Sequence, residues 1–264
     1  MKYKYQNGAA FIVVMFVLLL VTIIGAVAIK QSLTGLNIAT NSQIQVLLQQ
    51  NSDAAFFAIE RDNKDNTILQ RNLSSLGMLG LVKSDQFLNK EVVFCYRPKT
   101  ASTMFSLSRT SIIFWEEKEV DGKKEIVIKN RELGSEGFCK HSSNFFTSKR
   151  DAVITQIAVK KASLNTDVPF KFYPIGVDTT TVQLDQVQPV RIIITSVLPG
   201  AATQAWDVDK VNACFENNMN EKIPGYSDNN TVTKCFSDLG IPYSQQVMDY
   251  AVVSYAKQGG DYEN

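Results

Sequence analysis

The sequence predicts an α+β protein in which a long N-terminal helix packs on an antiparallel β-sheet domain. Three observations predict it. An uncharged apolar run lies near the N-terminus, apolar residues at helical spacing follow it, and short β-branched and aromatic runs separated by turn residues occupy the rest. A helix and a sheet can each bury one apolar face against the other, so the two kinds of segment are expected to form one core.

Residues 9–29 form the apolar run, which contains no charge and one polar side chain, Thr22. At about 1.5 Å per residue, a helix of this length spans roughly 30 Å, the thickness of a bilayer's hydrocarbon core. Lys2 and Lys4 precede the run and Lys30 follows it closely. The excess of positive charge before the run predicts a cytoplasmic N-terminus and a body on the other side of the membrane.

Two other interpretations of this run remain open. Ala26-Val27-Ala28 has the small-x-small form that a signal peptidase cuts, which would make the run a cleaved signal. The apolar core of a signal peptide usually has about 7 to 15 residues, however, and this run is longer. The run could also be a plain anchor that is never cleaved.

The helix is predicted to continue beyond the membrane, over residues 30–62. No charged residue occurs between Gln31 and Ser52. Amide and hydroxyl side chains occupy the other face, which can therefore pack against protein without burying charge. Charge returns from Ile59 to Asn66, where the helix is expected to end. The apolar residues recur at helical spacing: Leu33, Leu36, Ile44, Leu47, Leu48, Ala55 and Ile59.

Residues 63–264 are predicted to form a globular β-rich domain. An Asp-Gly pair at 121–122 predicts a hairpin turn between two of its strands. The strand candidates are Glu91–Arg97, Ser102–Ser108, Ser111–Glu117, Glu125–Lys129, Ala152–Lys160, Val190–Val197 and Gln246–Lys257.

The four cysteines, Cys95, Cys139, Cys214 and Cys235, are predicted to form two disulfides. Pairing Cys95 with Cys139 and Cys214 with Cys235 is favoured because each pair encloses a local loop. Four cysteines allow three connectivities, and the sequence leaves the others open, as it does buried free thiols. Disulfides would place the domain outside the cytoplasm.

Composition indicates neither a nucleic-acid partner nor catalysis. Lys and Arg number 27 against 26 Asp and Glu, so no net field attracts a polyanion. His141 is the only histidine, and no G-x-S-x-G or phosphate-binding glycine motif occurs. We therefore expect no catalytic residue, no cofactor and no metal site.

The N-terminal region resembles that of type IV pilins over about residues 1–60. The basic leader MKYKYQN precedes Gly8, an uninterrupted apolar run and a charge-poor helix. The small-residue start and the Ser/Thr/Asn-rich continuation are most similar to the PilX-like minor pilins. The resemblance implies a leader peptide at 1–8, cleavage by prepilin peptidase between Gly8 and Ala9, and methylation of the new Ala9 amine. It also implies an inner-membrane and filament-core helix at 9–29, with residues 30–62 and the domain at 63–264 in the periplasm until assembly into a pilus.

Val13 departs from the pattern of most pilins, which have Glu as the fifth mature residue. In the family, that carboxylate is thought to meet the N-terminal amine of the subunit added before it, neutralising two charges that are costly in lipid. PilX-like pilins share the lack of Glu. The resemblance therefore implies a priming or tip position, in which this subunit enters first.

By resemblance, the function is that of a minor pilin that assembles filaments through helix packing and sheet-domain contacts. The implied partners are other minor pilins, the major pilin, prepilin peptidase, a pilus tip adhesin and the inner membrane. The alternative is a membrane-anchored periplasmic enzyme or binding protein with an uncleaved signal anchor.

Overall fold

A computed structural model describes residues 9–101, 103–120, 123–134, 136–147, 151–162, 183–224 and 231–256. The chain forms two compact units, which divide between Val46 and Leu47. Within the described residues, the first unit consists of the N-terminal part of helix α1 (Ala9–Lys64). The second unit contains the rest of that helix and an antiparallel sheet, so the predicted α+β fold is confirmed.

Helix α1 is unbroken through both glycines of its apolar part. A Cβ atom added at Gly25 or Gly35 would meet nothing within 4 Å. Three threonine hydroxyls are satisfied inside the helix, because Thr22, Thr34 and Thr40 donate to backbone carbonyl oxygens three or four residues earlier. These hydroxyls therefore require no partner outside the helix.

The described residues include one six-stranded sheet in which every neighbouring pair is antiparallel. Its order is β3-β2-β1-β4-β5-β6, so two three-stranded meanders meet where β1 pairs with β4. The strands are β1 (Lys90–Cys95), β2 (Ser111–Val120), β3 (Lys123–Glu132), β4 (Ile154–Lys161), β5 (Gln183–Val197) and β6 (Tyr243–Ala256).

Six of the seven strand candidates correspond to these strands, and one prediction was wrong. The described part of Ser102–Ser108 contains no strand, and a 3-10 turn begins at Leu107. Here side chains bond to nearby backbone, since Thr110 donates to the Ser106 carbonyl and Arg109 to the Thr103 carbonyl. The Asp-Gly turn and Lys257 lie outside the described residues.

One face of the sheet carries the end of α1. Ala55 and Ile59 are buried there against alternate strand residues that include Val92, Ile157 and Ile192. Alternate residues of a strand share a face, so the branched side chains at these positions form one apolar layer. The short helices α2 (Asn66–Leu73) and α3 (Met78–Leu81) follow α1, and Met78 and Leu79 complete the layer. A 3-10 turn at Asp85–Phe87 leads to β1.

Two short helices that the sequence analysis did not predict lie in the C-terminal part of the domain. They are α4 (Val208–Asn217) and α5 (Val232–Asp238), and the side chains of Asp207 and Thr231 cap their N-termini. A 3-10 turn at Pro199–Ala201 precedes them. Val208, Val211 and Phe215 recur at three and four residues, which is the signal that could have identified α4.

Candidate functional site

The first candidate site is the surface of α1 within the first unit. Lys30 is the only charged residue between Ala9 and Ser52. Every large apolar side chain from Phe11 to Ile29 is exposed, and so are Leu33, Leu36 and Ile38. An apolar surface of this extent marks a site that contacts lipid or protein. The helix is therefore a surface that something else must cover.

By length and composition, this helix can cross a membrane. Its most apolar window of 18 residues has a mean hydropathy of 3.2, and no residue of that window is buried within the protein. The N-terminal helix is thus long and apolar enough to span a membrane once, which agrees with the sequence pattern.

Of the two predicted processing residues, Gly8 and Ala9, the structure describes only Ala9. Gly8 and the leader at 1–8 lie outside the described residues. Ala9 is the first residue of the helix, and the first turn contains no acidic side chain. Val13 is 60% exposed one turn later. A branched apolar side chain thus occupies this position in the first turns of the helix.

The helical stripe predicted from the sequence is buried only in its C-terminal part. Leu48, Ala55 and Ile59 are at most 1% exposed. Leu33 and Leu36 remain exposed, so the expectation that the sheet domain buries the whole stripe was wrong for them. Between these two groups, Ile44 and Leu47 are partly buried.

A side-chain hydrogen bond joins α1 to β6, and a second one lies within the helix. On β6, Gln246 donates from Nε2 to Oδ1 of Asp53 at 2.8 Å. Asn51 is nearly buried and donates to the Leu47 carbonyl oxygen within the helix. The amide residues that the sequence places on α1 can therefore be buried without leaving a charge unpaired.

Two disulfides stabilise the region of α4 and α5. They join Cys95 to Cys139 and Cys214 to Cys235, which is the pairing that the sequence analysis favours. Both pack in one cluster with Phe215. The Cys214–Cys235 bridge ties α4 directly to α5. Of the loop that it closes, residues 225–230 lie outside the described part of the chain.

A buried carboxylate holds the start of that loop on the sheet. Glu91 of β1 is completely buried, and its Oε2 accepts hydrogen bonds from the backbone N and the Nδ2 of Asn220, at 2.8 and 2.9 Å. Its Oε1 accepts a third bond from the backbone N of Glu221. Burial raises the pKa of Glu91, against the opposing effects of Lys160 and these three bonds. Sequence reasoning missed this residue, since a Glu at the start of a strand does not indicate burial.

An ionic network surrounds the Glu91 contact. Glu221 pairs with Lys160 at 2.7 Å and with Arg191 at 2.5 Å, and Arg191 forms a two-point ion pair with Asp249 of β6. Burial acts to raise the pKa of Glu221, but the bonds from Lys160 and Arg191 outweigh it and the net pKa is lowered. Asp249, opposed by burial, raises the pKa of Arg191. The loop therefore docks through charge as well as through Glu91.

The residues considered for catalysis or metal binding make structural contacts. The His141 ring lies edge-on to Phe146 and Trp206, with ring centres 5.3 and 4.9 Å away, and its backbone N donates to Asn212. Asp207 caps α4. Within the described ranges, no three His, Cys, Asp or Glu side chains gather where they could hold a metal ion.

No protein-family model, curated protein or solved structure matches this chain. Among the described residues, the exposed apolar surface of α1 is the feature that indicates contact with other molecules.

Proposed function

We propose that this chain is a minor pilin of a type IV pilus, which acts in priming or at the tip of the filament. It assembles by helix packing and sheet-domain contacts, without catalysis. The observation that carries the proposal is the exposed apolar surface of α1, which continues as the same helix into a sheet domain. In the bilayer, lipid would cover this surface before assembly, and the helices of other pilins would cover it afterwards.

The composition of α1 suits it to the bilayer before assembly and to packing against other helices in the filament afterwards. A segment without charge from Ala9 to Ile29 is stable in hydrocarbon. The same residues can pack against neighbouring helices, since the transfer leaves no charge unpaired. Gly25 and Gly35 are open to close approach by another helix, because nothing in the described part of the chain lies within 4 Å of a Cβ atom built there.

Val13 supports the priming or tip position. A carboxylate in the membrane needs a positive partner, and in most pilins the amine of the preceding subunit supplies it. With Val13, the chain needs no preceding subunit. Its own Ala9 amine, once free, can receive the Glu of the subunit that follows.

The sheet domain would supply the specific contacts. The loop held by Glu91 and the Cys214–Cys235 bridge is a constrained feature that can face other minor pilins or a tip adhesin. In this proposal the domain lies in the periplasm before assembly, a compartment in which the disulfides can form.

The first experiment is to determine the intact mass and N-terminal sequence of the protein from membranes with and without prepilin peptidase. We expect a peptidase-dependent start at Ala9, and no processing of Gly8→Ala. A start at Ile29, or an unprocessed Met1 in both samples, would contradict the proposal. Normal incorporation of unprocessed Gly8→Ala into filaments would do so as well.

Val13→Glu tests the position in the filament, with Val13→Leu as the matched apolar control. At the tip, the new carboxylate has no preceding amine to meet, and an unpaired charge in the membrane is costly, up to about 2.5–3.5 kcal/mol at the bilayer centre on insertion scales. We expect fewer pili per cell with Val13→Glu and wild-type numbers with Val13→Leu. Normal pilus numbers with Val13→Glu would argue against the tip position.

Replacing residues 9–29 with an unrelated membrane anchor separates this proposal from an anchored enzyme or binding protein. An anchored enzyme should keep its activity after the exchange. A pilin should lose assembly, because the helix surface itself makes the contacts.

A further inference from the structure

The two edges of the sheet differ in how they are protected against pairing with another strand. Proteins usually protect a sheet edge with Lys, other charges, Pro or a bulge. The β3 edge follows this rule, since Lys123, Lys124, Lys129 and Arg131 lie along it. The β6 edge does not. Between Tyr243 and Ala256 it contains one charged residue, Asp249, and neither Lys nor Pro.

The β6 edge of the described sheet is long and regular. Among the described residues, β6 pairs with β5 alone. The pairing runs without a break from Tyr243 to Val252, and the shift in register affects only the positions beyond. At about 3.4 Å per residue, these ten positions present roughly 34 Å of backbone. This length can pair with a whole additional strand.

An acidic groove of about 580 Å³ lies beside this edge, between α1 and β6. No Lys or Arg lines it; the lining residues are Asp53, Phe56, Phe57 and Glu60 of α1 and Gln246, Val247 and Met248 of β6. Within the described ranges, neither carboxylate forms a salt bridge. Phe57 is 67% exposed there. The groove thus presents an aromatic ring and two carboxylates without a cation.

The two faces of β6 specify what an added strand must carry. Gln246 and Met248 pair with Ile194 and Ile192, which lie on the face covered by α1. An added strand would place every second side chain on that face, beside Glu60 and Asp53. The alternate side chains would lie on the other face beside Val247, which is 54% exposed. Basic residues suit the first face, and apolar residues suit the second.

We infer that β6 accepts an extended strand from another protein, whose basic side chains contact Asp53 and Glu60 and whose apolar side chains cover Val247. Main-chain hydrogen bonds to β6 would hold the added strand. The alternation of basic and apolar side chains along that strand would make the binding selective. Two copies of this chain paired through β6 would bring two acidic grooves together, so a different protein is the better occupant. The inference concerns the sheet edge and does not depend on the proposed role of the N-terminal helix.

The test uses the full chain in non-ionic detergent micelles and a fluorescein-labelled peptide in which Val and Lys alternate. We expect saturable binding by fluorescence anisotropy. An otherwise identical peptide with Glu for Lys should bind much more weakly. A peptide with Pro for its central Val should do the same, because Pro lacks the N–H that pairs with the edge. Equal binding of the Lys and Glu peptides, or no saturable binding, would overturn the inference.

Glu60→Gln and Glu132→Gln form a matched pair of protein variants, one in the groove and one on the opposite sheet edge. Removing one exposed charge contact should raise the peptide Kd about two- to fivefold for Glu60→Gln. Glu132→Gln should leave the Kd unchanged. Equal weakening by both variants would show that attraction to the whole protein, and not the groove, causes binding.

Amide hydrogen exchange locates the pairing. Bound peptide should slow exchange in the segment containing Tyr243–Val252 and leave β3 unchanged. Protection at β3 instead would overturn the assignment.

Sedimentation tests whether a second copy of this chain pairs with β6. A wild-type dimer that Val247→Lys converts to a monomer would identify a second copy as the partner of β6 and overturn the inference.

Discussion

Ser52 of α1 donates a hydrogen bond from Oγ to the Oγ of Ser196 on β5, at 2.8 Å, and both residues are completely buried. The Ser196 hydroxyl also lies 2.9 Å from the Thr155 hydroxyl on β4. A short chain of hydroxyls therefore joins the helix to two central strands. Small side chains at these positions let α1 approach the sheet closely while each polar group keeps a partner.

Ser52→Ala should lower the free energy of unfolding of the sheet domain by about 1 kcal/mol, the net value of a typical buried hydrogen bond. The full chain in micelles can be unfolded with guanidinium while the fluorescence of Trp115 and Trp206 reports on the domain. Ser42→Ala is the control, because Ser42 is an exposed serine of the same helix. Equal effects of the two substitutions would show that the hydroxyl chain adds nothing.

Burial along α1 predicts different effects for two aliphatic residues of one stripe. Ile59→Ala removes a buried side chain and should destabilise the domain by about 2–5 kcal/mol. Leu36→Ala removes an exposed side chain and should change its stability by less than about 0.5 kcal/mol. The same unfolding measurement applies to both variants. A large loss with Leu36→Ala would mean that the sheet domain covers more of the helix than the structure shows.

Glu91 should make the stability of the domain depend on pH. Burial raises the pKa of Glu91 in the folded state above its unfolded value of about 4.3. Protonated Glu91 therefore contributes its full stability below about pH 4.3, and this contribution is lost as pH rises through the higher folded pKa. In Glu91→Gln, the side chain at this position does not titrate. The unfolding free energy of the wild type minus that of Glu91→Gln should therefore fall as pH rises above about 4.3.

Urea unfolding of both proteins over a series of pH values measures this difference, in which the titration of groups common to both cancels. A difference that stayed constant or increased with pH would contradict the burial of the Glu91 carboxyl.

The two disulfides should differ in what their removal costs. The bonded cysteines are 21 residues apart in Cys214–Cys235 and 44 apart in Cys95–Cys139. Loop-closure entropy predicts that Cys214–Cys235 contributes about 3 kcal/mol of stability. Cys95–Cys139 closes a loop about twice as long and should contribute about 0.6 kcal/mol more, since each doubling of a loop adds about that amount. Double alanine variants of each pair, unfolded under identical conditions, provide the comparison. A larger loss for the shorter loop would indicate that native contacts, and not loop length, set the order.

Much of the candidate site could be predicted from the sequence because its features are local. The helix through Val13, the lack of charge before Asp53 and most of the strands follow from patterns over a few residues. The strand prediction for Ser102–Ser108 failed because side chains there bond to the nearby backbone, as Thr110 does to the Ser106 carbonyl oxygen. They also missed α4, whose apolar spacing extends over less than three turns.

The sequence by itself determined the long helix, its apolar surface and the β-rich body, since residue type and spacing set these properties within each segment. Only the tertiary structure decided which part of the helical stripe is buried, which strands lie at the edges of the described sheet and that Glu91 lies in the interior. Glu91 and its partner Asn220 are 129 residues apart. The contacts between such distant residues depend on the order of strands in the sheet, which no local pattern encodes.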